Sequence, residues 1–230
     1  THTKLTDGAY TLRQMADAAA EKGYEYISNN EHSQHVSVAG GIDEKTLFKQ
    51  IKKIDDLNKK LKKIVVLKSI EVDILEDGSL DLPDRVLKEL DFTVCAVHYK
   101  FNLSRTKQTE RIIRAMDNPN FTILAHPTGR MINEREPYDV DVAKIIDAAR
   151  ERRCVMELNA HPERLDLNDV YLKMAKEKGV RIAVSTDAHS KADLDLMHYG
   201  IGQARRGWLE KKDVINTRTL KQLRRVLKRS

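Results

Sequence analysis

Residues 121–160 read FTILAHPTGRMINEREPYDVDVAKIIDAARERRCVMELNA. Two runs in it, FTILAH (121–126) and CVMELNA (154–160), are continuously apolar rather than alternating, and a helical pattern, VDVAKIIDAARERR, lies between them. A strand apolar on successive residues is buried on both faces, as parallel strands joined by crossover helices are. The stretch therefore predicts a βαβ unit.

The same alternation runs outward in both directions. TLRQMADAAAEKG (11–23) sets Leu12, Met15, Ala16 and Ala19 on one helical face, stops at Gly23 and gives way to the strand-like GYEYIS. DEKTLFKQIKKIDDLNKKL (43–61) repeats the pattern through Leu47, Ile51, Ile54, Leu57 and Leu61, and KIVVLKSIEVDIL (63–75) follows as a β-branched run. LPDRVLKEL, DFTVCAVHY and SRTKQTERIIRAMDN continue it before residue 121; LNDVYLKMAKEKG, RIAVSTDAH and two closing helices continue it after residue 160. With a first strand at His2 this predicts seven strands, each followed by a helix. The expectation is an α/β fold, a distorted (β/α)7 barrel forming one domain over residues 1–230, with an open doubly wound sheet as the alternative.

Composition narrows the class. No run approaches the roughly 18 apolar residues that span a bilayer, and the start has no signal-peptide pattern, so the expectation is a cytoplasmic protein without membrane contact. Cys95 and Cys154 each sit in an apolar run, as buried reduced thiols do. A net charge of +6 and a pI near 9.2 favour a polyanionic partner such as DNA, although basic stretches like LKQLRRVLKRS also suit a solvated helix face.

The unusual residues fall at the strand ends: His2, His32, Glu71, His98, His126, Asn159, then Asp187 and His189. In parallel α/β barrels those ends share one rim, so residues far apart in sequence meet there. Taken singly, most of these residues have ordinary structural explanations. Glu71 is harder to explain so, because an ionised carboxylate in an apolar strand is costly unless paired or metal-bound. Together, five of the eight histidines with Glu71 and Asp187 point to a metal centre. Imidazoles and carboxylates without clustered thiolates suit Zn²⁺, Mn²⁺ or Fe²⁺, and so many ligands suit two or three ions, with Glu71 as a bridge. Such a centre acidifies bound water and neutralises phosphoryl oxygens, which predicts hydrolysis, with Glu71 and Asp187 positioning the hydroxide. Lys100, Arg130 and Arg164, with Asn159, are candidates for binding a phosphorylated substrate, against a salt-bridge role for the three cations. His35 reads as a loop residue and His198 as a helix residue; His161 is a weaker rim candidate.

The motifs TDG, EHS, IEVDIL, AVHY, LAHPTGR, ELNAHPERLDL, STDAHS and GQARRGWLE resemble the PHP (polymerase and histidinol phosphatase) domain, most narrowly the carboxy-terminal PHP domain of bacterial family X DNA polymerases. The resemblance implies a trinuclear centre: His2, Glu71 and Asp187 at one ion; Glu71, His98 and His126 at a second; Asp7, His32 and His189 at a third. It also implies phosphoester hydrolysis of DNA (3′ to 5′ exonuclease, abasic-site endonuclease or 3′-phosphatase) by a monomeric unit with polymerase domains upstream. In this pattern His2 is the second histidine of an H-x-H pair whose first member would precede Thr1. Asn29 and Asn30 depart from the family's usual apolar residue and Thr. The alternatives are a histidinol-phosphate-like small-molecule phosphatase, or a catalytically impaired module that binds DNA or stabilises a polymerase.

Overall fold

Among the described residues, 1–227 of a computed structural model, six parallel strands form one sheet in chain order. They are β1 (Tyr26–His32), β2 (Val65–Asp73), β3 (Val94–Ala96), β4 (Ile123–Leu124), β5 (Val155–Asn159) and β6 (Ile182–Ser185). The helices are α1 (Leu12–Glu21), α2 (Glu44–Asn58), α3 (Asp84–Leu87), α4 (Arg105–Met116), α5 (Val142–Glu151), α6 (Asp169–Glu177), α7 (Met197–Arg206) and α8 (Leu220–Leu227). Side-chain caps start several of them: Thr11 forms a capping box with Gln14 on α1, and Asp43, Ser104, Asp141 and Asn168 accept from the first turns of α2, α4, α5 and α6. LPDRVLKEL keeps only the single turn of α3.

Strand parity explains both faces of the sheet. Ile70, Val72, Cys95, Leu124, Met156, Leu158, Ile182 and Val184 point outward into the layer of covering helices. Leu67, Val94, Ile123, Val155 and Ala183 point inward and meet Leu223 and Leu227, so the sheet curls around α8. That helix is amphipathic: its apolar side plugs the interior while Lys221, Arg224 and Arg225 are exposed.

Among the described residues the expected seventh strand is not present. The Thr1 amine donates to Ser28 C=O at 3.0 Å, Thr1 C=O accepts from Asn30 N–H at 2.9 Å and His2 N–H donates to Ala188 C=O at 2.9 Å, but the chain then turns away at Thr3, so pairing with β1 is confined to Thr1. The barrel is therefore an open, curled six-stranded sheet with a seam between β1 and β6. Asn216 blunts the β6 edge by accepting from Val184 N–H at 3.0 Å and donating to Val184 C=O at 2.8 Å. A cavity of about 360 Å³ runs along the seam from Glu71 and Asp187 down to Leu223 and Leu227.

Candidate metal centre

Following the inward parity toward the carboxyl ends of the strands, apolar side chains give way to polar ones. Leu67 leads to Ser69, Glu71 and Asp73; Val94 to Ala96 and His98; Val155 to Glu157 and Asn159; Ala183 to Ser185 and Asp187; Tyr26 to Ser28, Asn30 and His32. One rim thus receives Glu71, Asp73, His98, Glu157, Asp187 and His32. At two exits the backbone adopts positive φ, 25° at His126 and 53° at Asp187, conformations that non-glycine residues adopt rarely and that cluster at functional sites.

Glu71 is the hub. Its Oε1 lies 3.0 Å from His126 Nε2 and 3.2 Å from His98 Nε2; its Oε2 lies 3.3 Å from His2 Nε2 and 3.6 Å from His32 Nδ1. Asp187 Oδ1 is 3.0 Å from His2 Nε2, and Asn159 Nδ2 donates to Asp187 Oδ2 at 3.3 Å. Asp7 completes the outer side, 3.3 Å from both His32 Nε2 and His189 Nε2 and 3.6 Å from His2 Nδ1. The His2 ring stacks on those of His32 and His189, with centroids 4.4 and 4.2 Å away.

The loop that brings Asp7 back over His2 depends on glycine at position 8, where a Cβ would lie 2.6 Å from the His2 carbonyl. Buried Glu31 holds this loop: it accepts from Thr3 N–H at 3.2 Å, Thr6 Oγ1 at 2.6 Å and Asn29 Nδ2 at 2.9 Å, and from the Thr3 hydroxyl. Gln50 Nε2 donates to Asn29 Oδ1 at 2.9 Å, which accounts for an amide in a buried strand. Asn30 is different: its Oδ1 has no partner and the residue lines the seam cavity.

The electrostatics follow from burial and pairing. Burial disfavours the charged form of His2, yet Asp187 and Glu71 outweigh it and push its pKa up to about 9. For His98 burial is likewise outweighed by Asp73 and Glu71, which raise it to about 10. Burial would raise Glu71, but His32, His126, His2 and His98 hold it well below the usual carboxylate range; Asp187, against the same penalty, is lowered by His2. His126 moves down because of burial and the nearby Arg164.

Three groups bring one donor atom per residue within 4.8 Å of one another: His2, Asp7, His32 and His189; His32, Glu71 and His98; and His2, Glu71 and Asp187. The donors are imidazoles and carboxylates, and His2 Nδ1 and His32 Nδ1 are buried without a hydrogen-bond partner. Such a set fits divalent cations.

The cationic candidates separate. Arg164 Nε reaches to 3.8 Å from Asp187 Oδ2, and its Nη1 is buried without a partner. Arg130 instead donates to the carbonyls of Arg164 at 2.7 Å and Leu165 at 2.5 Å, holding the loop that carries Arg164. Lys100 is half exposed, 3.8 Å from Glu76. His161 faces Glu163 at 3.7 Å, His35 packs against the Tyr99 ring, and exposed His198 lies on α7.

Glu157 and Asp73, like Glu31, are acidic residues of this region that the sequence reading passed over. Glu157 is buried beneath the centre, accepting from His126 N–H at 2.6 Å and from the Ser185 hydroxyl; burial, with Asp187 nearby, pushes its pKa up to about 8. Asp73, fully buried, lies 2.7 Å from His98 Nδ1. Each is a carboxylate inside an apolar strand, the same signal that marked Glu71.

No family model matches the sequence. The chain is 42% identical over 229 residues to the DNA polymerase/3′-5′ exonuclease PolX of Bacillus subtilis, matching 100% of this chain and spanning 40% of that protein's length. It is 30% identical over 228 residues to a probable phosphatase of Thermoanaerobacter sp. (strain X514), covering 94% of this chain and 88% of the relative. In fold it is similar to the histidinol phosphate phosphatase of Lactococcus lactis, solved with zinc, L-histidinol and phosphate, at a TM-score of 0.64 and 16% identity over 91% of this chain and 92% of that one. The chain belongs to the PHP family.

Proposed function

We propose that this chain is a metal-dependent phosphoester hydrolase acting on DNA, and that residues 1–230 are the PHP unit of a longer polymerase, working in the cytoplasm. The observation that carries the reading is the Glu71 carboxylate, shared by four imidazoles at 3.0 to 3.6 Å, an arrangement suited to bridging two cations. His2, Asp7, His32, Glu71, His98, His126, Asp187 and His189 are assigned as ligands of two or three Zn²⁺ or Mn²⁺ ions, with Fe²⁺ as a further candidate. When bound, the ions supply an acidified water and charge neutralisation at phosphorus. Arg164 directs its guanidinium to a phosphoryl oxygen beside Asp187, and Arg130 fixes the loop that makes this possible. Glu71 and Asp187 position the reacting groups. Asn159 orients Asp187, and Lys100 offers a point charge at the rim.

The likeness to PolX and the net charge of +6 favour DNA. The probable phosphatase, matched over most of its length, favours the second reading, a small phosphomonoester. Hydrolysis of a 3′-recessed oligonucleotide and of a small aryl phosphate, compared with and without Mn²⁺, decides between them. Faster turnover of the oligonucleotide, abolished by a chelator, is the expected result. A preference for the aryl phosphate overturns the DNA assignment, and no hydrolysis of either at any Mn²⁺ concentration overturns the enzyme.

A further inference from the structure

Asp73 sits two residues beyond Glu71 on the same inward face of β2 and is completely buried. Its Oδ1 lies 2.7 Å from His98 Nδ1, while Oδ2 is buried with no hydrogen-bond partner. A buried carboxylate with one partner and one vacant oxygen is a poor device for stability, since an apolar residue there would avoid the desolvation cost. Groups of this kind persist where they serve a site.

Its surroundings hold it in place. The Asp73 N–H is shared between Ser33 Oγ at 3.0 Å and Asp81 Oδ1 at 3.2 Å. The chain leaving β2 and the chain leaving β3 are tied together by buried Arg111, which donates to the carbonyls of Leu75 and Tyr99 at 3.0 Å each and to that of Ile74. Asp73 and His98 therefore keep a fixed separation.

Both His98 nitrogens face carboxylates, but Asp73 can only accept, so once an ion takes the nitrogen on the Glu71 side the single remaining ring proton stays on Nδ1, toward Asp73. The other nitrogen, Nε2, is 3.2 Å from Glu71 Oε1 and points into the group formed by His32, Glu71 and His98. We infer that Asp73 is a positioning residue of the centre: it fixes the His98 ring and its tautomer so that Nε2 presents a lone pair to the ion. The inference rests on the metal-site reading above. Carboxylate partners of ligating histidines act in this way, and their loss weakens metal binding by about 10–100-fold.

The test is the apparent zinc affinity of the full chain, measured by competition with a fluorescent chelator, in a double-mutant cycle of Asp73→Asn and His98→Ala. Asp73→Asn is expected to weaken zinc binding by about 10–100-fold in the parent, and by less than about 3-fold where His98 is already alanine. An equal loss in both backgrounds, or no loss in the parent, overturns the inference. Should Asp73→Asn fail to fold, long-range proton–nitrogen spectra of the zinc-loaded parent decide it: His98 Nδ1 protonated and Nε2 metal-shifted is expected, and the reverse pattern refutes it. A parent chain that binds no zinc overturns the metal-site reading instead, and so is distinguishable.

Discussion

Glu157→Gln should stabilise the metal-free protein at neutral pH. Burial raises the carboxyl from 4.5 to about 8, so between those values the unfolded chain loses a proton that the folded chain keeps. The native state therefore loses stability as pH rises through this window, at about 1.4 kcal/mol per pH unit, or about 3 kcal/mol between pH 4.5 and pH 7. Glutamine does not titrate and preserves the contacts: its carbonyl accepts from His126 N–H and its amide donates to the Ser185 oxygen. Urea unfolding of both proteins in chelator, at pH 5, 7 and 8.5, reads the effect. The advantage of the variant is expected to be small at pH 5, about 2–3 kcal/mol at pH 7 and larger at pH 8.5. A difference independent of pH would refute the reasoning, because it would mean that Glu157 ionises in the folded protein as readily as in the unfolded one.

His2 and His98, raised from 6.5 to about 9 and about 10, stabilise the fold fully below pH 6.5 and lose that contribution as pH climbs through their folded values. The melting temperature of the chelated protein is therefore expected to fall between pH 6.5 and 10, while zinc affinity, which needs those nitrogens free of protons, rises over the same range. Glu71→Gln removes the anion shared by four imidazoles; it is expected to destabilise the metal-free chain by about 3–5 kcal/mol in denaturant titrations and to reduce the bound metal seen by elemental analysis. Arg164→Lys keeps the charge but loses the fork, and a fall in phosphoester turnover of at least about 10-fold is expected. Arg130→Ala should instead lower the melting temperature as well as activity, since the carbonyls of Arg164 and Leu165 lose their donor.

The repeating βα order was legible because buried parallel strands carry uninterrupted apolar runs, and the shared rim of parallel strand ends then brought Glu71, His98 and Asp187 together. What the sequence did not disclose has physical causes. Residues 1–2 make two main-chain bonds to β1 and one to the chain beyond β6 before the backbone turns away, which leaves the described sheet at six strands rather than seven. Glu157 and Asp73 were masked by the apolar runs CVMELNA and IEVDIL, although each is as anomalous there as Glu71. Arg130 and Arg164 look alike in sequence; only the fold turns one guanidinium toward Asp187 and the other onto loop carbonyls. The plug role of α8 was hidden too, because its amphipathic pattern does not say which surface its apolar face meets.

Anomalous diffraction at the zinc and manganese edges, from crystals of protein prepared without chelator, bears most directly on whether this rim is a metal centre. Peaks about 2.0–2.3 Å from the ring nitrogens of His2, His32 and His98 and from the carboxylates of Glu71 and Asp187 are expected. Maps with no peak within coordination reach of Glu71, from protein saturated with either ion, would contradict it.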